Sequence, residues 1–176
     1  MIVDLQSISR SPRYFNFTYQ SDWWRKNEDD VQIQGLAGPL VAKISVFREG
    51  KNYGVDGRLV GKLRLVCDRC LETYVFAVSR DFHLSLWLPV PLESVPDETE
   101  LKKDDLAVRF IEDEKIDLDD IIREQIYLSL PMKLLCRNGC EGLCSRCGVN
   151  LNIDTCRCSD GGGHPAFLKL KDLKIA

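Results

Sequence analysis

The sequence predicts an α+β fold: a curled antiparallel β-sheet or partly open barrel, one packed helix, and a C-terminal cysteine-rich tail of zinc-ribbon type. Three observations carry that expectation. Apolar and polar residues alternate at period two between Leu36 and Leu88, the pattern of half-buried strands. One run, Asp117 to Leu130, spaces its apolar residues at helical period instead. Six of the eight cysteines then fall between Cys136 and Cys158, and the other two form a C-x-x-C pair, Cys67 and Cys70. A chain of 176 residues, 44% of them hydrophobic, can bury one respectable core. Its expected divisions are an antiparallel β domain over 1–92 that carries the Cys67/Cys70 hairpin, an acidic linker or loop over 93–115, and a helix followed by a metal-binding tail over 116–176.

The first 35 residues show only short apolar runs, Ile2 to Leu5 and Tyr14 to Tyr19, and the neighbouring tryptophans Trp23 and Trp24. Such a pair can stack on a base, but its commoner use is to cover a sheet edge or fill a core. The first clear strand follows, with Leu40, Ala42, Ile44 and Val46 on one face and a turn at Gly50, Lys51 and Asn52. In the second, Tyr53, Val55, Leu59, Leu63 and Leu65 share one parity while Asp56, Arg58, Lys62 and Arg64 take the other. Gly57 and Gly61 interrupt the apolar face and suggest a bend or bulge. The third strand is marked by Tyr74, Phe76, Val78, Phe82, Leu84, Leu86 and Leu88.

Cys67-Asp68-Arg69-Cys70 joins the second strand to the third. A hairpin tip brings side chains i and i+3 to one side, where both sulfurs can grip one metal ion. Redox chemistry wants such a pair at a helix N-terminus, and strand-formers follow Cys70 instead. Pro89, Pro91 and Pro96 end the sheet, and the acidic stretch after them reads as a linker or loop, with Leu106 to Ile111 able to pair back as a strand. Asp117 then offers an N-cap, Asp119 and Asp120 suit the helix dipole, and Pro131 stops the helix near Leu130. Leu118, Ile121, Ile122 and Ile126 form the stripe that should face the sheet.

Cys144-Ser-Arg-Cys147-Gly148 has the form of a zinc knuckle, and Cys156-Arg-Cys158 would close a four-thiolate site with it. Cys136 and Cys140 are left to pair with Cys67 and Cys70, so eight thiols make two sets of four and one or two structural zinc ions are expected. The spacing Cys140-x3-Cys144-x2-Cys147 also resembles the iron–sulfur motif of radical S-adenosylmethionine enzymes, but those place it near the N-terminus of a larger barrel. The N-terminus shows no signal-peptide pattern and no run long enough to span a membrane, which points to a reducing cytoplasm rather than disulfide stapling.

The formal net charge is −3, unevenly spread: Glu93 to Glu124 holds thirteen acidic and five basic residues, and Met132 to Ala176 seven basic and four acidic. Polyanion binding would therefore rely on local patches. Candidates are Arg137, Arg146 and Arg157 beside the sulfurs, and Lys169, Lys171 and Lys174 on a short basic helix expected over Pro165 to Lys174. His83 and His164 read as ordinary strand and loop residues.

Four blocks carry a family likeness: C-D-R-C-L-E-T-Y, I-D-L-D-D-I-I-R-E-Q-I-Y-L-S-L-P, L-C-R-N-G-C-E-G-L-C-S-R-C-G-V-N-L-N and the closing C-R-C. Together they resemble the YceD family of large-ribosomal-RNA accumulation proteins, over roughly Gly57 to Leu173. The resemblance implies a cytosolic, non-enzymatic factor for accumulation or processing of large-subunit (23S) ribosomal RNA. Members often carry Asp-Pro-Arg near the end, where this chain reads His164-Pro165-Ala166. The expected partner is that RNA or a pre-ribosomal particle, with no membrane and no small-molecule substrate. The alternative is a zinc-stabilised adaptor whose acidic middle binds a ribosomal protein or other basic partner.

Overall fold

The computed structural model describes residues 1–9, 11–26, 32–88 and 108–158. The acidic stretch 93–105, His164 and the basic tail with Lys169, Lys171 and Lys174 lie outside the described residues. The strands are β1 (Ile2–Asp4), β2 (Arg13–Tyr19), β3 (Ile33–Leu36), β4 (Leu40–Glu49), β5 (Asn52–Val66), β6 (Thr73–Trp87), β7 (Val108–Phe110) and β8 (Lys115–Asp117), and the helix α1 spans Leu118–Tyr127. Six strands form one sheet in the order β2-β4-β5-β6-β7, with β3 pairing β5 beyond the reach of β4. The sheet ends at β2 and β7 and is not a closed barrel. β1 and β8 pair separately.

One pairing departs from the antiparallel expectation. β7 runs parallel to β6, from Ser85 opposite Val108 to Trp87 opposite Phe110. Enough chain separates the two strands for the crossover that a parallel pair requires.

The alternation read from the sequence sets the faces. Leu40, Ala42, Ile44 and Val46 of β4 and Tyr53, Val55, Leu59, Leu63 and Leu65 of β5 are buried. They share one hydrophobic cluster with Val3, Leu5, Trp24 and the α1 residues Leu118, Ile121, Ile122 and Ile126. A ten-residue helix is marginal alone, whereas each fully buried Leu or Ile contributes about 1.5–3 kcal/mol, so packing holds α1 in place. The Asp117 side chain caps it by accepting the Asp119 N–H at 2.9 Å. The helix ends three residues before Leu130, in a tightened turn where Leu130 N–H reaches the Tyr127 carbonyl. Arg80 from β6 secures that end, donating to the Leu128 carbonyl at 2.9 Å and to the buried Gln125 at 3.3 Å.

No bulge forms at Gly57 or Gly61, because β5 keeps continuous register with β6 through both and with β4 through Gly57. Their bare backbone makes room for other side chains: a Cβ on Gly57 would sit 2.2 Å from the Phe82 ring, and one on Gly61 would meet Leu40 at 2.7 Å. The tryptophans are packing residues. Trp24 is buried, while Trp23 donates its indole N–H to Asp119 at 3.2 Å and lies under the Arg123 guanidinium.

Candidate metal centres

Cys67 follows directly from β5, and Cys70 sits just before β6. The tip is a knuckle: Leu71 N–H donates to the Cys67 carbonyl, and Cys67 N–H to the Glu72 carbonyl, each at 3.0 Å. The segment after α1 is clamped onto it by Asp68, whose N–H donates to the Leu134 carbonyl and whose carboxylate accepts the Leu134 N–H, both at 2.7 Å. That clamp delivers Cys136 and Cys140 to the hairpin. Cys67 Sγ lies 3.8 Å from Cys140 Sγ, and Cys70 Sγ lies 3.7 Å from Cys136 Sγ.

The second group repeats the design. Gly148 N–H donates to the Cys144 carbonyl at 2.9 Å and Cys144 N–H to the Val149 carbonyl at 2.8 Å, while Leu143 bridges Asn150. Cys156 returns to within 3.2 Å of Cys144 Sγ and 3.7 Å of Cys147 Sγ, and Cys158 completes the set. In each group all four sulfurs lie within 4.8 Å of one another, and either group could hold a metal ion. Four thiolates about 2.3 Å from a central zinc sit about 3.8 Å apart in a regular tetrahedron, so the spacing fits such an ion.

The groups differ in setting. Cys67, Cys70 and Cys140 are buried, whereas Cys147 is exposed and its three partners are half-buried. Burial pushes the Cys67 thiol up, but the N–H groups of Cys70, Cys136 and Arg69 outweigh it and hold the pKa at about 6. The N–H groups of Cys147 and Arg146 do the same for Cys144, also to about 6. Cys136 is pushed up to about 12 by burial and its sulfur neighbours, and Cys158 to about 12 by the sulfurs of Cys156 and Cys147. Each cluster thus has one ready thiolate and neighbours that resist a second negative charge, the conflict a bound cation relieves.

A short span joins the two groups. Arg69 donates to the Cys140 carbonyl at 2.8 Å and accepts the Leu143 N–H at 3.1 Å. The Asn152 side chain, on the loop of the second group, donates to Cys140 Sγ at 3.4 Å and accepts the Glu141 N–H at 3.0 Å. It also accepts from the Arg137 guanidinium at 2.8 Å, so Arg137 braces this span. Arg146 is exposed and gives its backbone N–H to Cys144 Sγ at 3.5 Å, and Arg157 is exposed. Cys140 belongs to a different group from Cys144 and Cys147, which splits the iron–sulfur-like spacing. Sulfurs, and arginines beside the later cysteines, point to neither Asp68 nor Asn152, nor to Arg69, although Asp68 and Arg69 lie between Cys67 and Cys70.

These features define a small α+β protein in which two four-cysteine groups, one under a sheet hairpin and one in a knuckle, could each hold a metal ion. The chain belongs to the YceD family: the family described as "Large ribosomal RNA subunit accumulation protein YceD" matches residues 55–174. Maize "Large ribosomal RNA subunit accumulation protein YCED homolog 1, chloroplastic" is 30% identical over 143 residues, covering 68% of this chain and 48% of the maize protein. The Arabidopsis thaliana protein of the same name is 28% identical over 151 residues, 73% of this chain and 46% of its own length. An uncharacterized Mycobacterium leprae protein is 33% identical over 127 residues, covering 72% and 52%. The chain spans about half the length of these curated relatives. No solved structure matches, and no described helix is long and apolar enough to cross a membrane.

Proposed function

We propose that this protein is a non-enzymatic cytoplasmic factor that supports accumulation and processing of large-subunit (23S) ribosomal RNA, binding that RNA or a precursor particle with zinc as a structural scaffold. Family membership supports the biological role. The single structural observation behind the mechanism is that each group presents four sulfurs to one point. Such a centre has no open position for substrate or water, so its metal folds the chain rather than activating a reactant. Soft thiolates suit zinc, and the exposed Arg157 and Arg146 stand on turns that the ion would hold rigid.

The test is depletion of the protein during growth. Mature large-subunit RNA should fall relative to small-subunit RNA, and an unchanged ratio refutes the role. Elemental analysis of protein purified without added metal should return zinc and a colourless solution.

An acidic surface favours a second reading, an adaptor for a basic ribosomal protein. Asp4, Glu112, Asp113 and Glu114 line a shallow cavity of about 560 Å³ beside β8. Binding to such a protein that survives loss of all RNA affinity would select this reading.

A further inference from the structure

We propose that the open face of the sheet, the side opposite α1, is a docking surface for the phosphate backbone of RNA; the inference rests on the function proposed above and names the surface that serves it. The face is built by the polar parity of β2, β4, β5 and β6. Tyr14, Ser45, Asp56 and His83 lie abreast in one register row, and Asn16, Lys43, Arg58 and Asp81 in the next. Lys62 and Arg64 continue the basic line along β5, and both are exposed. Arg58 and Arg64 are six residues apart, so the line runs about 20 Å at the usual strand rise.

Two features separate this face from an ordinary solvated sheet surface. Lys43 stands directly opposite Arg58, and a like-charged cross-strand pair costs stability unless something anionic answers it. The two carboxylates nearby do not answer it fully: Asp81 takes Arg58 at 3.3 Å and Asp56 takes His83 at 2.7 Å. Among the described residues, Lys43, Lys62 and Arg64 have no ion-pair partner.

Charge is also segregated between the two sides. On the helix side Asp117 and Asp119 pair with the N-terminal ammonium, Asp120 with Arg123 and Glu124 with Arg109, so the cations there are already engaged, and Glu112, Asp113 and Glu114 stand just before β8. A polyanion is repelled there and attracted to the sheet. The open face also holds a shallow trough of about 760 Å³ that includes Lys43, Arg58 and Tyr14, a residue 73% exposed whose ring can stack on an unpaired base.

The test measures affinity of the full chain for an in vitro transcript of large-subunit ribosomal RNA at several salt concentrations. It compares wild type with the triple variant Lys43→Gln, Lys62→Gln, Arg64→Gln, and with the corresponding triple Glu variant. The Gln variant should bind at least tenfold more weakly, and its slope of log affinity against log salt should shrink by about 2, from roughly 0.7–0.9 per lost phosphate contact. The Glu variant should weaken binding further. Unchanged metal content and thermal midpoint show that the variants fold. A folded Gln variant with wild-type affinity and slope overturns the surface, as does a wild type that binds no RNA, even if depletion still lowers large-subunit RNA. Unchanged RNA ratios on depletion refute the biological role alone, and loss of affinity on this face would then still identify the surface.

Discussion

Leu71 and Gly148 hold the same place in the two knuckles, with φ of +60° and +73°, each donating its N–H to the carbonyl of the cysteine four residues earlier. Glycine occupies that left-handed region freely, whereas an L side chain there costs about 1–2 kcal/mol. Leu71 bears that strain while 63% exposed, so little packing offsets it. Leu71→Gly should therefore leave stability unchanged or raise it by up to about 1 kcal/mol, and Gly148→Val should lower it by about 1–2 kcal/mol. Denaturant midpoints of the metal-loaded protein decide this; loss of stability in Leu71→Gly would mean that the Leu71 side chain has a packing partner in solution.

The difference in burial predicts two-stage metal release. A chelator should reach the half-exposed group at Cys144, Cys147, Cys156 and Cys158 first, and the group under the hairpin only when Cys67, Cys70 and Cys140 are uncovered. Cys147→Ser should remove the fast phase and about half the metal, while Cys67→Ser should remove the slow phase and destabilise the sheet. Acid acts in a defined direction. The pKa values of Cys67 and Cys144 are lowered to about 6, so their contribution is complete above the ordinary thiol range and is lost as pH falls through 6. A chromogenic chelator followed in time and against pH reads both effects, and a single phase would contradict the assignment.

Asn152 should couple the two groups. Its amide donates to Cys140 Sγ while its oxygen holds Glu141 N–H and Arg137, so the closing loop of one centre orients a ligand of the other. Outer partners of metal ligands typically matter by 10–100-fold in affinity. Asn152→Leu, which keeps the volume and loses the hydrogen bonds, should weaken metal binding at the Cys67 group by that order although Asn152 is not a ligand. Competition with a chelator of known affinity measures it; an effect confined to the Cys144 group would remove the coupling.

Legibility in the sequence follows the range of the interaction. The inner faces of β4 and β5 and the stripe of α1 are fixed by local periodicity, and Leu40, Ala42, Ile44, Val46, Leu118, Ile121, Ile122 and Ile126 all reach the core. β7 is only three residues long, and its parallel direction is set by a partner more than twenty residues earlier. Gly57 and Gly61 give the same local signal whether they permit a bulge or receive Phe82 and Leu40. Cysteines declare themselves by type, whereas the grip of Asn152 on Cys140 belongs to an amide that elsewhere would be an ordinary turn residue. The polar parity of Asp56, Arg58, Lys62 and Arg64 is legible as one side of a strand, but their union with Lys43 into a basic face depends on the register between β4 and β5.

Asp68 tests how the hairpin captures the segment after the helix. Its carboxylate accepts the N–H of Leu134, a residue only 3% exposed, while its own N–H donates back to the Leu134 carbonyl. Asp68→Ala keeps the backbone bond but strands a buried N–H, which costs about 1–3 kcal/mol. Asp68→Asn retains an acceptor and should lose less, the difference being the charge-assisted part of the bond. If the clamp positions Cys136, the Ala variant should also release metal from the Cys67 group faster while the Cys144 group keeps its rate. Equal acceleration of both would mean that Asp68 supports the fold as a whole, and no change in either would mean that the ion alone holds Cys136 in place.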